Sequence, residues 1–221
     1  PEPIVAELAE RLPGGGLFNC YGQSEIAPLA TVLNPKQHQR YPASAGMPVS
    51  SVQTRIVDPL SMKTCAPGEQ GEIVHRSPQL MVGYWNKPKE TEEAFSGGWF
   101  HSGDLAYQNE EGYIFIVDRI KDVVNTGGVL VASRDVEEAL YTHPAVAEVA
   151  VIGLPHEKWI EAITAVVVLK QDCETDEAEL IQHAQQHLAA FKVPKAIRFV
   201  DSLPKNTAGK LLKRALRTAF G

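Results

Sequence analysis

A charged segment at residues 118–122, Asp-Arg-Ile-Lys-Asp, divides the 221-residue chain into two parts with different sequence patterns. Before it, short apolar runs alternate with glycine and proline turns, a pattern typical of short strands in a curled sheet or a small barrel. After it, valine-rich runs alternate with amphipathic stretches, which indicates an α+β unit of about 100 residues. The sequence therefore predicts two domains, residues 1–119 and residues 120–221.

Hydrophobic periodicity places the elements of each part. In the first part we expect strands at residues 17–21, 51–57, 71–75 and 112–117, and helices at residues 1–12 and 87–95. In the second part we expect strands at residues 146–154, 162–169 and 197–200. We also expect one helix that starts at the N-cap Ser133 and two more at residues 176–190 and 211–220.

Composition narrows the functional class. With 21 basic and 27 acidic residues the net charge is −6, which does not favour a nucleic-acid surface or a polybasic membrane patch. The three cysteines are far apart and show neither a disulfide framework nor zinc-ligand spacing, so we expect a reducing, cytoplasmic location. No apolar run is long enough to span a bilayer.

Two polar segments of the first part can carry chemistry. Residues 21–25, Tyr-Gly-Gln-Ser-Glu, follow a predicted strand, where hydroxyl and backbone groups can meet a phosphate and a carboxylate can hold Mg²⁺. Residues 101–105, His-Ser-Gly-Asp-Leu, offer a carboxylate that can accept hydrogen bonds from both hydroxyls of a ribose. Taken singly, each is equally readable as an ordinary polar turn.

Two more segments belong to the second part or its border. Residues 118–122, followed by Thr-Gly-Gly at 126–128, are readable as a hinge or as a solvated linker. Residues 204–210 end like a Walker A loop, but Pro204 replaces its first glycine and Leu211 follows the lysine. That lysine can meet a carboxylate or phosphate as a point charge, or it can be solvated.

The order and spacing of these four segments resemble the adenylate-forming superfamily, in its branch of AMP-forming acyl-CoA synthetases. Residues 71–73, 83–85 and 98–100 also match that branch, and the resemblance covers essentially the whole chain. It implies the C-terminal half of such an enzyme. The implied fold is α+β: a β-rich subdomain, a distorted barrel with part of an α/β subdomain, followed by a small α+β lid domain.

The resemblance also implies roles for residues of the first part. Tyr21 is expected against the adenine, and Ser24 is expected to touch the α-phosphate. Glu25 is expected to hold Mg²⁺, and Asp104 to bind the ribose hydroxyls with Arg119 beside it.

In the second part, the resemblance assigns Lys121 to a hinge and Lys210 to the lysine that bridges the acyl carboxylate and the α-phosphate. It further implies contacts with coenzyme A: the pantetheine path at Gly127 and Gly128, and the CoA nucleotide at Phe191 and Lys195.

Three features depart from the family pattern. Residues 129–133 are Val-Leu-Val-Ala-Ser, where relatives often carry a polar residue and a proline, and Val193 stands where some carry arginine. The family's Ser/Thr/Gly-rich phosphate loop with its lysine is expected upstream of these segments and is not found here; residues 14–16, three glycines, lack its hydroxyls and its lysine. The chain alone is therefore not expected to complete the reaction without the N-terminal part of the same enzyme.

The implied activity uses ATP, Mg²⁺ and CoA to convert a carboxylic acid, by general resemblance a fatty or other hydrophobic acid, into a thioester through an acyl-adenylate. A homodimer is compatible with it. The alternatives are a peptide-synthetase adenylation domain, which needs a carrier domain after Gly221, and a non-catalytic module that binds nucleotide or a partner. Luciferase-like oxidation occurs on the same scaffold, but nothing in the sequence calls for it.

Some conspicuous residues are interpreted as structural. His183 and His187 lie four apart on a predicted helix, but they flank its apolar stripe without a third ligand nearby, so packing or solvation is expected. Trp85, Trp99 and Trp159 are expected in the core.

Overall fold

A computed structural model describes residues 8, 11, 16–59, 61–207 and 209–221. The chain forms two compact units, Pro1–Ile120 (unit 1) and Lys121–Gly221 (unit 2). The helix expected at residues 1–12 lies outside the described residues apart from positions 8 and 11. The predicted α+β class is confirmed.

Unit 1 contains two open antiparallel sheets with strand orders β1-β2-β3 and β4-β5-β6-β7. Neither sheet closes among the described residues, so the expected barrel is not a closed one. A short helix, α1 (Pro88–Ala94), follows β5. The strands are β1 (Asn19–Tyr21), β2 (Thr31–Leu33), β3 (Met47–Pro48), β4 (Gln53–Val57), β5 (Gly71–Arg76), β6 (Phe100–Gln108) and β7 (Ile114–Arg119).

The four-stranded sheet buries one face against unit 1's own core. Its cluster consists of Ile56, Ile73, Ala106 and Ile114, with the Tyr21 ring packed against it. Strand β6 alternates buried and partly exposed positions from Phe100 to Ala106, the period of a half-buried strand. The polar residues 101–105 therefore lie inside a strand, and their interpretation as a free-standing turn is wrong.

Unit 2 is a five-stranded sheet, β10-β11-β8-β9 with β12 added parallel to β11. Helices α2 and α3 cover one face and α4 packs on the other, so both faces of the valine-rich strands are buried. Its elements are β8 (Val124–Thr126), β9 (Val129–Val131), α2 (Ser133–Tyr141), β10 (Val146–His156), β11 (Ile160–Leu169), α3 (Glu177–His187), β12 (Ala196–Phe199) and α4 (Lys213–Phe220).

The structure corrects the predicted N-cap of α2. Ala132, not Ser133, is the N-cap of α2. Ser133 is buried in the first turn, where its Oγ accepts a hydrogen bond from Lys213 Nζ at 2.6 Å. The start of α3 is capped by a side chain, because Asp176 Oδ1 accepts from the Glu179 N–H at 2.8 Å.

Within the described ranges, no helix combines the length and the apolar character needed to cross a bilayer. Cys20, Cys65 and Cys173 are free thiols.

Candidate active site

A tight turn follows β1 and carries the first predicted segment. The Ala30 N–H donates to the Tyr21 carbonyl oxygen at 2.9 Å. This brings Pro28 so close that a Cβ on Gly22 would lie 1.7 Å from the Pro28 carbonyl oxygen. Only glycine fits there, and the chain then enters a single 3-10 turn, Ser24–Ile26.

A β-bulge in β6 carries Asp104. Glu72 of β5 pairs with Leu105, while Val74 pairs with His101, so three residues of β6 stand opposite one residue of β5. Gly103, in the middle of the bulge, has a φ of +70°, a conformation that glycine adopts without steric cost. The bulge directs the Asp104 carboxylate toward the end of β1.

The Asp104 carboxylate is the centre of a polar cluster in unit 1. Asp104 is 4% exposed. Its Oδ2 accepts from Tyr21 Oη at 2.6 Å and from Gln23 Nε2 at 2.8 Å, and its Oδ1 pairs with Arg119 Nε at 2.7 Å. Burial, and then the charge of Asp104, raise the pKa of the Tyr21 hydroxyl far above its usual value. The phenol therefore remains a donor at any physiological pH.

The bulge backbone joins the same cluster. The carbonyl oxygen of Ser102 accepts from Gln23 Nε2 at 2.9 Å and from Arg119 Nη1 at 3.3 Å. Tyr21, Asp104 and Arg119, three of the residues predicted to contact nucleotide, thus lie together.

Glu25 extends the cluster along the turn, and Ser24 beside it is exposed. The Tyr84 hydroxyl donates to Glu25 Oε1 at 2.9 Å, and burial followed by the hydrogen bond to Glu25 raises the pKa of Tyr84 to about 12. The described residues contain no group of three His, Cys, Asp or Glu side chains suited to a metal. A Mg²⁺ at Glu25 fits only with phosphate and water as its other ligands, the usual arrangement for Mg²⁺.

The predicted hinge is tied to unit 2. Lys121 is exposed, but its carbonyl oxygen accepts from Arg217 Nη2 at 3.2 Å. The same guanidinium pairs with Asp122 Oδ1 at 2.8 Å. The first residues of unit 2 are therefore anchored to α4.

The glycine pair predicted to line the pantetheine path forms the tip of the β8–β9 hairpin. Gly127 and Gly128 have φ values of +64° and +87°, as a two-residue type I′ turn requires. The Gly127 N–H donates to the Trp159 carbonyl oxygen at 2.6 Å, and Lys195 Nζ lies 5.3 Å from the centre of the Trp159 ring. Gly127 and Lys195 are thus brought to one tryptophan.

Phe191, the other residue expected to contact the CoA nucleotide, lies on the surface with 45% of its area exposed. The contacts that the structure describes do not join it to the Trp159 group. A groove of about 480 Å³ runs beside it, lined by Leu188, Val193 and Lys195 among others.

Lys210 lies in a loop closed by Asn206. The Lys210 N–H donates to Asn206 Oδ1 at 2.8 Å, and the Asn206 N–H donates to the Lys210 carbonyl oxygen at 2.9 Å. The side chain of Lys210 is exposed, and within the described residues it forms no ion pair. Lys205, earlier in the loop, pairs instead with Glu148 Oε2 at 2.5 Å.

Two residues at these sites, Gln23 and Trp159, are not predicted as site residues by the sequence. Gln23 lies inside the segment at residues 21–25, but its partner Asp104 is 81 residues away. Trp159 is expected in the core, but it is only half-buried. Trp99 is core as expected, at 8% exposure, whereas the prediction for Trp85 is wrong because it is 89% exposed.

The two histidines of α3 have the expected roles of packing or solvation: His183 is partly buried, and His187 is exposed. His183 Nε2 lies 2.8 Å from Thr142 Oγ1, and its ring centre is 5.0 Å from that of His143. Burial lowers the pKa of His183.

Two family models match the chain: AMP-binding enzyme over residues 1–85, and AMP-binding enzyme C-terminal domain over residues 135–210. Among curated relatives, the long-chain-fatty-acid–CoA ligase of Bacillus subtilis is 42% identical over 96% of this chain and 38% of its own length. The feruloyl-CoA synthase of an Amycolatopsis species is 41% identical over 99% of this chain and 45% of its own. The chain thus spans about two-fifths of these relatives' length.

Solved structures agree. The o-succinylbenzoate CoA synthetase of Bacillus subtilis, in complex with its acyl-adenylate intermediate, matches with a TM-score of 0.90 and 33% identity over 98% of this chain and 44% of that one. The same enzyme with ATP and a magnesium ion matches with a TM-score of 0.88 and 32% identity over the same shares. Because models for the two domains of AMP-binding enzymes match residues 1–85 and 135–210, the chain belongs to the AMP-binding, adenylate-forming enzymes, and it is similar to their CoA ligases over nearly its whole length.

Proposed function

We propose that this chain is the C-terminal part of an AMP-forming acyl-CoA ligase, and that residues 1–119 complete the large domain while residues 120–221 form its lid. The observation that carries the proposal is the buried Asp104 carboxylate, held beside an aromatic ring and a guanidinium at the end of β1. Relatives named for CoA ligation support the same activity.

In the proposed nucleotide site, Asp104 accepts hydrogen bonds from the ribose hydroxyls, and the Tyr21 ring lies against the adenine. An ionised carboxylate offers about four acceptor positions, and three protein donors already occupy Asp104. Ribose binding with two hydroxyls therefore requires at least one protein donor to yield its place.

The 3-10 turn that follows β1, Ser24–Ile26, is the proposed contact with the phosphates. The exposed Ser24 hydroxyl is free to donate to the α-phosphate, and Glu25, oriented by Tyr84, supplies one carboxylate oxygen to Mg²⁺. When bound, Mg²⁺ neutralises phosphate charge that would repel an incoming carboxylate.

In unit 2, Lys210 is the candidate for the cation between the acyl carboxylate and the α-phosphate, because its loop is ordered by Asn206 while its ammonium group remains exposed. The Gly127–Gly128 turn is the candidate for the pantetheine path. Lys195 and Phe191 are candidates for the CoA nucleotide. Reorientation of the lid about Lys121 is proposed to separate the two half-reactions.

The proposed substrate is a fatty or other hydrophobic acid, because the relatives include both a long-chain-fatty-acid ligase and a feruloyl-CoA synthase. The three free cysteines support a reducing, cytoplasmic location.

The experiment is a chimera in which this chain replaces the matching segment of the Bacillus subtilis long-chain-fatty-acid–CoA ligase. With a fatty acid, ATP, Mg²⁺ and CoA, we expect acid-dependent release of pyrophosphate and AMP and formation of the thioester. Asp104→Ala should lower kcat/KM for ATP by about a hundredfold, since it removes a charge-assisted contact with both hydroxyls.

The matched control is Asp201→Ala, which removes an exposed aspartate and should leave the activity unchanged. A correctly folded chimera without acid-dependent turnover would overturn the proposal in favour of a non-catalytic module. The acid itself is identified by offering palmitate, ferulate and acetate to the full-length enzyme that contains this chain, and preference for acetate would refute a hydrophobic substrate.

A further inference from the structure

We infer that Glu72 is a positioning residue for the nucleotide site, because it holds the bulge that carries Asp104. Glu72 touches no candidate ligand-binding atom itself. It lies on β5, across from the bulge, and its role follows from what its two carboxylate oxygens accept.

Each oxygen of Glu72 binds a different residue of the bulge segment, one in its middle and one at its start. Oε1 accepts from the Gly103 N–H at 2.9 Å, and Oε2 lies 2.8 Å from His101 Nδ1. Glu72 is 6% exposed. A carboxylate so deeply buried is stable only with such donors around it, so the geometry of Glu72 and that of the bulge depend on each other.

Ile73, the residue after Glu72 on β5, also binds the bulge. Ser102 Oγ donates to the Ile73 carbonyl oxygen at 2.6 Å and accepts from the Asp104 N–H at 3.0 Å. The Ile73 carbonyl oxygen holds the bulge through the Ser102 hydroxyl, whereas among the described residues the acceptor for the Gly103 N–H is Glu72. A bulge leaves such groups outside the regular ladder, and an N–H without an acceptor would drive the loop to rearrange.

The conformation held in this way is specific to glycine. Gly103 has a φ of +70°, and a Cβ added there would meet nothing within 4 Å. The constraint is thus conformational rather than steric. Gly103→Ala strains the bulge without a clash and without touching Glu72, which provides a second, independent way to displace Asp104.

The test rests on the proposed function and measures the contribution of the ribose 2′-hydroxyl to catalysis. In the chimera, kcat/KM is measured for ATP and for 2′-deoxy-ATP. In the unaltered protein we expect ATP to be preferred by about tenfold to a hundredfold, the range for one hydrogen bond to a charged group. With Glu72→Ala the preference should fall to about threefold or less, because a displaced Asp104 no longer reaches the 2′-hydroxyl.

Conservative rescue and a control define the outcome. Glu72→Gln still offers an oxygen to the Gly103 N–H, so it should retain most of the preference. Glu69→Ala also removes a glutamate that accepts a backbone N–H, that of Ala66 at 2.8 Å, and should retain all of it. If Glu72→Ala does not fold, Gly103→Ala decides and should show the same collapse.

An active Glu72→Ala or Gly103→Ala enzyme that slows equally with both nucleotides, and so keeps its preference, overturns the inference and leaves the proposed function intact. An unaltered chimera that folds but never uses ATP overturns the proposed function, and this inference with it.

Discussion

At the scale of single residues, the hydroxyl of Tyr21 competes with the proposed ligand. It occupies an acceptor position on Asp104 at 2.6 Å, while the ring packs against the core of unit 1. The ring and the hydroxyl of one side chain are therefore expected to have opposite effects on nucleotide binding.

Removing only the hydroxyl tests this competition. In the chimera, Tyr21→Phe should lower KM for ATP by about tenfold to a hundredfold, since the ribose no longer displaces a hydrogen bond to a charged group, worth about 1.5–3 kcal/mol. Tyr113→Phe, which removes a hydroxyl bound to Gln37, should leave KM unchanged. A tenfold rise in KM for Tyr21→Phe would show that the hydroxyl itself serves the nucleotide.

His75 shows how burial creates pH dependence near the same site. It is fully buried, its Nδ1 lies 3.0 Å from Thr54 Oγ1, and Nε2 has no partner among the described residues. Burial lowers its pKa to about 4. Because the unfolded chain takes up a proton near pH 6.5 and the folded chain only near pH 4, stability is intact above pH 6.5 and is lost as the pH falls through that window.

The free energy of unfolding should fall by about 2 kcal/mol between pH 7 and pH 5. The pKa of His75 falls from 6.5 in the unfolded chain to about 4 in the folded one, at about 1.36 kcal/mol per unit, and pH 5 lies partway through this window. Urea unfolding of the chain at both pH values measures it. His75→Phe should remove most of this difference, and the exposed His156→Gln should preserve it. Equal pH dependence in wild type and His75→Phe would contradict the expected role of burial.

Motif and spacing identify residues such as Asp104, Tyr21 and Arg119, which the structure brings together. Their mutual hydrogen bonds were not predictable. The partner of Asp104 on β1 is 83 residues away, and nothing in local sequence reports contacts across sheets. The sequence marks Glu72 only as part of a family match, because a carboxylate on a strand ordinarily indicates a solvated face.

At the scale of elements, the longer strands and helices of unit 2 are predictable because their apolar runs span eight or nine residues or repeat with helical period. Strand β6 is not predicted from the sequence, because Gly103 and Asp104 are turn-forming residue types that here lie in a bulge. The two- and three-residue strands β2, β3, β8 and β9 are too short to show any period.

A strained residue begins β11. Ile160 has a φ of +65°, which is unfavourable for a β-branched side chain, and it pairs with Thr126 at the base of the glycine turn. Its side chain is 58% exposed, so little packing compensates for the strain.

Ile160→Gly should therefore stabilise unit 2. Relief of about 1–2 kcal/mol of strain exceeds the added entropy of an unfolded glycine, about 0.5–1 kcal/mol, for a net gain of about 0.5–1 kcal/mol and a few degrees in Tm. Calorimetry of the chain measures it. Ile160→Val keeps the branched Cβ and should change little, and a lower Tm for Ile160→Gly would mean that the turn tolerates Ile160 without strain.

At the scale of the whole molecule, the candidate residues are divided between two units. Ser24, Glu25 and Asp104 belong to unit 1, whereas Lys210, Gly127 and Lys195 belong to unit 2. The sequence also lacks the phosphate loop that the family resemblance leads us to expect. We therefore predict that the chain alone, given acid, ATP, Mg²⁺ and CoA, releases no pyrophosphate above background. Robust acid-dependent release would show that the loop is dispensable.

The division between units makes Lys210 the sharpest test of the proposed two-step reaction. In the proposed reaction, its ammonium group offsets the repulsion between carboxylate and α-phosphate during adenylation only. Thioester formation is proposed to use the glycine turn of the same unit after reorientation. Removing one such preorganised charge costs about 3–4 kcal/mol, or 10²–10³ in rate.

In the chimera, Lys210→Ala should lower pyrophosphate release by that factor but largely spare AMP release from supplied acyl-adenylate and CoA. Lys205→Ala, which removes a lysine of the same loop that is paired with Glu148, serves as the matched control and should affect neither step strongly. Acetylation of Lys210 should reproduce the alanine phenotype, since it removes the charge. If Lys210→Ala slows both half-reactions equally, then Lys210 is not specific to adenylation and the proposed alternation between two orientations is wrong for this protein.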